Sequence, residues 1–100
     1  MLETYIDFAF NQKLRAIEKL VFITLIVICP EIKKEKYFYK ISTKIICRIL
    51  NMSHPPILKS LKNLKEYRLI DVHKNSNNHI SINLYTEKFI NFLKSKDYEK

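Results

Sequence analysis

Apolar positions recur at helical spacing through the first third of the chain. Leu14, Ile17, Leu20, Val21, Thr24, Leu25 and Ile28 follow the three-and-four rhythm of one helical face, and Pro30 ends the run. With the preceding apolar segment Leu2, Tyr5, Ile6, Phe8, Ala9 and Phe10, this predicts a first helix over residues 1–29. The β-branched run from Val21 to Ile28 also suits a buried strand; length and the periodic residues before it decide for helix. Residues 31–36 (EIKKEK) read as a charged loop, and Tyr37 to Lys40 as a minimal strand. Ser42 then caps a helix from Thr43 to Leu50, which Asn51 ends because Asn tolerates the left-handed conformation. Ser53 caps the next helix, over 53–67, with Pro55 and Pro56 in its first turn. Ile57, Leu61 and Leu64 mark its buried face, and Lys59, Lys62, Asn63 and Lys65 its outer face.

Strict alternation follows. Ile70 and Val72, then Ile80, Ile82 and Leu84, interleave with polar residues around the turn Asn75-Ser76-Asn77-Asn78, predicting a β-hairpin over 70–85. Thr86 caps a final helix, 86–97, with Phe89, Ile90, Phe92 and Leu93 apolar, and Tyr98 to Lys100 fray. The predicted fold is mainly α with a small β-hairpin (α+β), in the order α-β-α-α-β-β-α, as one domain over residues 1–100.

Composition narrows the function. The chain has 100 residues, 47% of them hydrophobic, which suits one globular domain with a real core. It has no glycine, which excludes glycine-cradled phosphate loops of the Walker or dinucleotide-binding kind. The longest apolar run, Leu20 to Cys29, is half of the roughly 20 residues that a membrane span requires. Cys29 and Cys47 sit in apolar segments and read as free thiols of a reduced compartment, so a cytoplasmic protein without membrane partners is expected. His54, His73 and His79 with the cysteines match no zinc spacing, so no metal and no cofactor are expected. No nucleophile elbow or paired-carboxylate motif is present, and the expectation is a protein that is not an enzyme.

The net charge is +8, and +6 of it lies between Lys40 and His79. Lys40, Lys44, Arg48, Lys59, Lys62, Lys65, Arg68 and Lys74 stand there against Glu66 and Asp71. Such a concentration suits a polyanion, because each lysine near a phosphate releases counterions. The Tyr37-Phe38-Tyr39 cluster either stacks bases of a single strand or packs into the core.

The segment Ile41 to Ile70, ISTKIICRILNMSHPPILKSLKNLKEYRLI, resembles the core of a winged helix-turn-helix domain, as in MarR-like regulators and the N-terminal domains of some plasmid replication initiators. The matching positions are Ser42, Ile46-Cys47, Leu50, Asn51, Met52, Ser53, Ile57, Leu61, Leu64 and Leu69-Ile70, and the likeness extends over about residues 37–85. Two positions depart from it: Asn51 and Arg68 stand where such domains often have Gly. A positive φ at Arg68 costs it about 1–2 kcal/mol.

The resemblance implies double-stranded DNA as partner. The second helix of the pair becomes the reading helix, with Ser53, His54, Pro56, Lys59, Ser60, Lys62 and Asn63 facing the major groove. There Lys59 can meet guanine O6/N7 and Asn63 can pair with adenine. Leu58 falls on the outer face too, where it either meets thymine methyls or packs against a neighbouring element. Ser42 and Lys44 at a helix start, Arg68, and the wing residues His73, Lys74, Asn75, Asn77 and Asn78 are the expected backbone contacts. A small repressor acting as a homodimer follows, joined through Tyr5, Ile6, Phe8, Phe10, Phe89, Phe92 and Leu93. The alternative is a winged-helix protein-interaction module, or a replication accessory module of a plasmid or virus, marked by an exposed apolar patch containing Leu58 and the N-terminal aromatics.

Overall fold

The computed structural model describes residues 2–29, 38–76 and 78–99. The charged loop 31–36, Pro30, Tyr37 and Asn77 lie outside them. The elements are α1 (Leu2–Phe10), α2 (Ala16–Ile28), β1 (Tyr39–Ser42), α3 (Thr43–Leu50), α4 (His54–Glu66), β2 (Asp71–Lys74), β3 (His79–Asn83) and α5 (Glu87–Glu99).

The single helix expected over 1–29 is instead a hairpin of two, which adds a helix to the expected order. The break has a local cause. The Asn11 side-chain amide donates to the Asp7 carbonyl at 2.8 Å, and that of Gln12 to the Phe8 carbonyl at 3.4 Å. The backbone tightens at the same place: the Asn11 N–H is shared between the Asp7 carbonyl at 3.1 Å and the Phe8 carbonyl at 3.2 Å, and the Gln12 N–H falls back to the Ala9 carbonyl, so the Gln12 side chain takes the place on Phe8 that its own backbone N–H would hold in a continuing helix. Five residues later α2 starts, with the Arg15 backbone N–H donating to Glu18 Oε1 at 3.1 Å. The reversal lays Phe8 edge-on to Phe22, at 6.2 Å between ring centroids. It also turns the buried face of α2 towards Val21, Phe22, Leu25 and Ile26, leaving Leu20 of the expected face 51% exposed.

The last helix closes on the first. Tyr5 stacks on Phe89 at 3.6 Å between centroids, Phe8 lies 5.3 Å from Phe89 and 5.2 Å from Phe92, and the Tyr5 hydroxyl donates to the Leu84 carbonyl. Tyr5, Phe8 and Phe89 are therefore core residues of one chain, which corrects their assignment to a dimer contact. α5 also runs through Glu99, past the point at which fraying is expected.

Three antiparallel strands form a sheet in the order β1-β3-β2, so the strand before the helix pair joins the hairpin. Tyr39 pairs with Ile82 and Ser42 with His79 on one side of β3; Val72 pairs with Ile82 and Lys74 with Ile80 on the other. As the central strand, β3 is buried from Ile80 to Asn83, so Ser81 and Asn83 do not stand out in solvent as the alternation predicts. Both are satisfied: Ser81 Oγ accepts from Asn75 at 2.7 Å, and Asn83 Oδ1 accepts from the Tyr85 N–H at 2.8 Å.

Both helices of the central pair end in the same way. Asn51 has φ 53°, with its N–H on the Arg48 carbonyl and the Met52 N–H on the Cys47 carbonyl. Arg68 has φ 62°, with its N–H on the Lys65 carbonyl and the Leu69 N–H on the Leu64 carbonyl. These are two Schellman endings, each with the left-handed residue that glycine normally supplies. The second turns the chain sharply from α4 into β2.

Candidate nucleic-acid interface

The site is built on α3, α4 and the β2–β3 hairpin. Ser42 starts α3, its hydroxyl accepting from the Lys44 N–H at 3.2 Å, so its oxygen is already engaged in capping. Ser53 occupies the same position before α4 with extended backbone but makes no capping bond through its side chain. It is exposed, as are Lys44, Arg48, Lys59, Lys62, Lys65, Arg68 and Lys74. Among the described residues, no carboxylate lies within salt-bridge range of these cations. Such unpaired cations on a rigid scaffold are free to exchange counterions for phosphates.

The starts of both helices meet the hairpin at Thr43. Its N–H donates to the Asn78 carbonyl at 2.8 Å, its hydroxyl to the same carbonyl at 3.3 Å, and the hydroxyl oxygen lies 2.9 Å from His54 Nε2. Thr43 is fully buried, so this junction sets the hairpin tip against the two helix starts. It also engages His54 in the protein's own framework rather than leaving it to meet a base. Nothing in the sequence beyond a capping Ser before Thr43 signals this role.

Two further reading-helix residues are corrected. Ser60 is 2% exposed and faces the core between Ile57 and Leu64. Asn63 is half-buried, and its amide donates to Glu18 Oε2 at 2.8 Å. That carboxylate is itself 2% exposed, and it also accepts the Tyr67 hydroxyl at 3.5 Å. Pairing with adenine would take from a buried carboxylate its shortest hydrogen bond. Pro56 is half-buried, which leaves Lys59 and Lys62 as the freest polar groups of α4.

On the hairpin, His73 is exposed with its ring 4.9 Å from Phe38 and Nε2 4.0 Å from the Asp71 carboxylate. Asn75 spends its amide on Ser81, so Lys74 is the hairpin's plain cationic contact.

Between α4 and the hairpin runs a groove of about 310 Å³. Leu58 and Leu61 from α4, with Val72 and Ile80 from the strands, make its floor; Lys62, Lys65 and Lys74 stand around it. Lys65 Nζ donates to the Val72 carbonyl at 3.0 Å, tying helix to strand. Leu58 thus turns towards the hairpin. A larger hollow, about 560 Å³, lies where the hairpin base meets α5, with Lys65, Arg68 and Lys88 set against Asp71 and Glu87. Its charge is mixed, with one cation in excess.

Elsewhere Cys29 is buried, and burial pushes its thiol up to about 11; Cys47 is half-buried and both are free. Burial also raises the Tyr5 phenol far above its ordinary value, with Tyr85 and Cys29 adding to the effect. Among the described residues no helix is long and apolar enough to cross a membrane, and no group of three metal-ligating side chains is present. Comparison with known proteins finds no matching family, and no significant match among curated proteins or solved structures.

Proposed function

We propose that this chain binds double-stranded DNA as a small winged helix-turn-helix regulator, with α4 in the major groove and the hairpin along the backbone. The observation that carries the reading is the set of exposed cations Lys44, Arg48, Lys59, Lys62, Lys65, Arg68 and Lys74, without a carboxylate in salt-bridge range among the described residues, on and beside two helices and a hairpin. A three-residue turn with a left-handed Asn51 sets the angle between the helices, and β1 pairs with the hairpin's second strand. Those features support the winged-helix reading of the sequence.

In this reading Lys59 and Lys62 approach base edges, while Lys44, Arg68 and Lys74 hold phosphates. Asn63 positions α4 on α2 through Glu18. Action as a repressor by occupying an operator needs no second domain. A homodimer would place two reading helices about 34 Å apart on a palindromic site.

The test is selection of bound duplexes from a random pool at two salt concentrations. An enriched palindrome is expected, with affinity falling steeply as salt rises. No retention of duplex at low salt sinks the proposal, and salt-sensitive retention without enrichment removes its sequence-specific part.

A further inference from the structure

The groove between α4 and the hairpin has a composition that a DNA backbone does not explain. Four apolar side chains make its floor: Leu58, Leu61, Val72 and Ile80. Leu58 is 42% exposed and Val72 half-buried, so this apolar surface is open to water. Phosphates gain nothing by covering it, whereas apolar side chains do. Lys62, Lys65 and Lys74 surround the floor, and among the described residues no acidic one lines it. From Leu58 to Lys65 the groove follows α4 for about 10 Å, two turns at 1.5 Å per residue. An apolar floor between cationic rims is complementary to one kind of chain: apolar on one face and acidic on its flanks.

We propose that the groove docks an acidic amphipathic helix of a protein partner. Two apolar residues one turn apart fill the floor over Leu58 and Val72. Glu or Asp on the flanks pair with Lys62, Lys65 and Lys74. Lys65 keeps its tie to the Val72 carbonyl through one N–H and offers its other two. Because the same lysines belong to the duplex-binding face, partner and duplex exclude one another. The docking itself rests on the groove and not on the duplex reading.

The test uses a synthetic helical peptide of about 14 residues with Leu at two positions four apart and Glu on both flanks. A control peptide of equal charge carries Ser in place of Leu. Binding is followed by fluorescence anisotropy, and by methyl NMR shifts of Leu58, Val72 and Ile80. The Leu peptide is expected to shift those methyls and to bind at least about tenfold more tightly than the Ser peptide. Leu58→Gln, at a partly exposed site, is expected to weaken the Leu peptide about tenfold and a duplex less than twofold. Val72→Thr serves as the second variant, with the same ordering. Lys62→Glu is expected to weaken both ligands.

Equal binding of the two peptides overturns the proposal, since the groove would then be a surface for polyanions in general. Equal loss of peptide and duplex in Leu58→Gln overturns it too, because the floor would belong to the nucleic-acid face. So does the absence of methyl shifts at millimolar Leu peptide. If no duplex binds and the Leu peptide shows the expected ordering, the duplex reading falls and the docking site stands.

Discussion

Arg68 shows how one residue can hold a turn against its own preference. At φ 62° its side chain bears a steric cost of about 1–2 kcal/mol, and the Schellman bonds around it hold the conformation. Arg68→Gly removes that cost while adding freedom to the unfolded chain, so a net gain of about 0.5–1 kcal/mol is expected in denaturant titration. If Arg68 also holds a phosphate, the same variant weakens duplex binding, and stability and affinity move in opposite directions. The two cysteines allow a second check. Cys29 is 4% exposed with a thiol pushed up to about 11, so Cys47 is expected to alkylate first and Cys29 only on unfolding. The folded chain keeps the Cys29 proton to higher pH than the unfolded chain does. That contribution to stability is whole below an ordinary thiol value of 9.0 and is lost as pH rises towards 11. A melting temperature that holds steady from pH 9 to 11 contradicts this assignment.

α4 has two working sides, and they make separable predictions. Lys59→Ala removes an exposed cation and is expected to leave the fold intact while costing about 1–3 kcal/mol of discrimination between duplexes. Asn63→Ala removes the shortest of the hydrogen bonds to the buried Glu18 carboxylate and is expected to cost about 1–3 kcal/mol of stability, with little change in discrimination. Lys74→Ala, on the hairpin, is expected to weaken all duplexes alike and lower the salt slope by about 1. Equal loss of discrimination in the Lys59 and Asn63 variants would return Asn63 to the reading surface. α3, α4 and the hairpin were legible because their signals are local: Ser42 before Thr43, Asn51 after Leu50, prolines opening α4, alternation from Ile70 to Leu84. The break between α1 and α2 was hidden because Phe10, Leu14 and Ile17 keep helical spacing across it. The inward duty of Asn63 was hidden for another reason. Its partner Glu18 lies 45 positions away, and only packing brings them together.

Over the whole molecule, a radius of gyration of 13.1 Å is what a compact chain of this length requires, about 13 Å. One continuous core runs from Tyr5 and Phe8 through Leu25, Ile46 and Leu64 to Ile82 and Phe89. The aromatic residues that suggested a dimer contact from sequence are largely spent on it. Among the described residues, the exposed large apolar side chains of the first two helices are Phe10 at 58%, Leu20 at 51% and Val27 at 59%. For the proposed homodimer, Leu20→Glu with Val27→Glu is therefore expected to reduce the sedimenting mass to one chain with the circular dichroism unchanged. A mass that stays at two chains places the contact elsewhere. Tyr5→Ala is expected to lower stability by about 3–5 kcal/mol, as other large core aromatics do, whatever the oligomeric state.

The bond from the Tyr5 hydroxyl to the Leu84 carbonyl spans 79 positions, and the Tyr5–Phe89 stack lies beside it. On the ribosome this inverts the order in which the molecule can be finished. α1 emerges well before α5, so Tyr5 and Phe8 wait for Phe89 and Phe92 even after α2 has brought Phe22 against Phe8. During synthesis the nascent chain carries Tyr5 and Phe8 uncovered by α5, a surface that chaperones or neighbouring nascent chains can engage. Slow translation before Phe89 prolongs that exposure, and a chain released before α5 is complete keeps it.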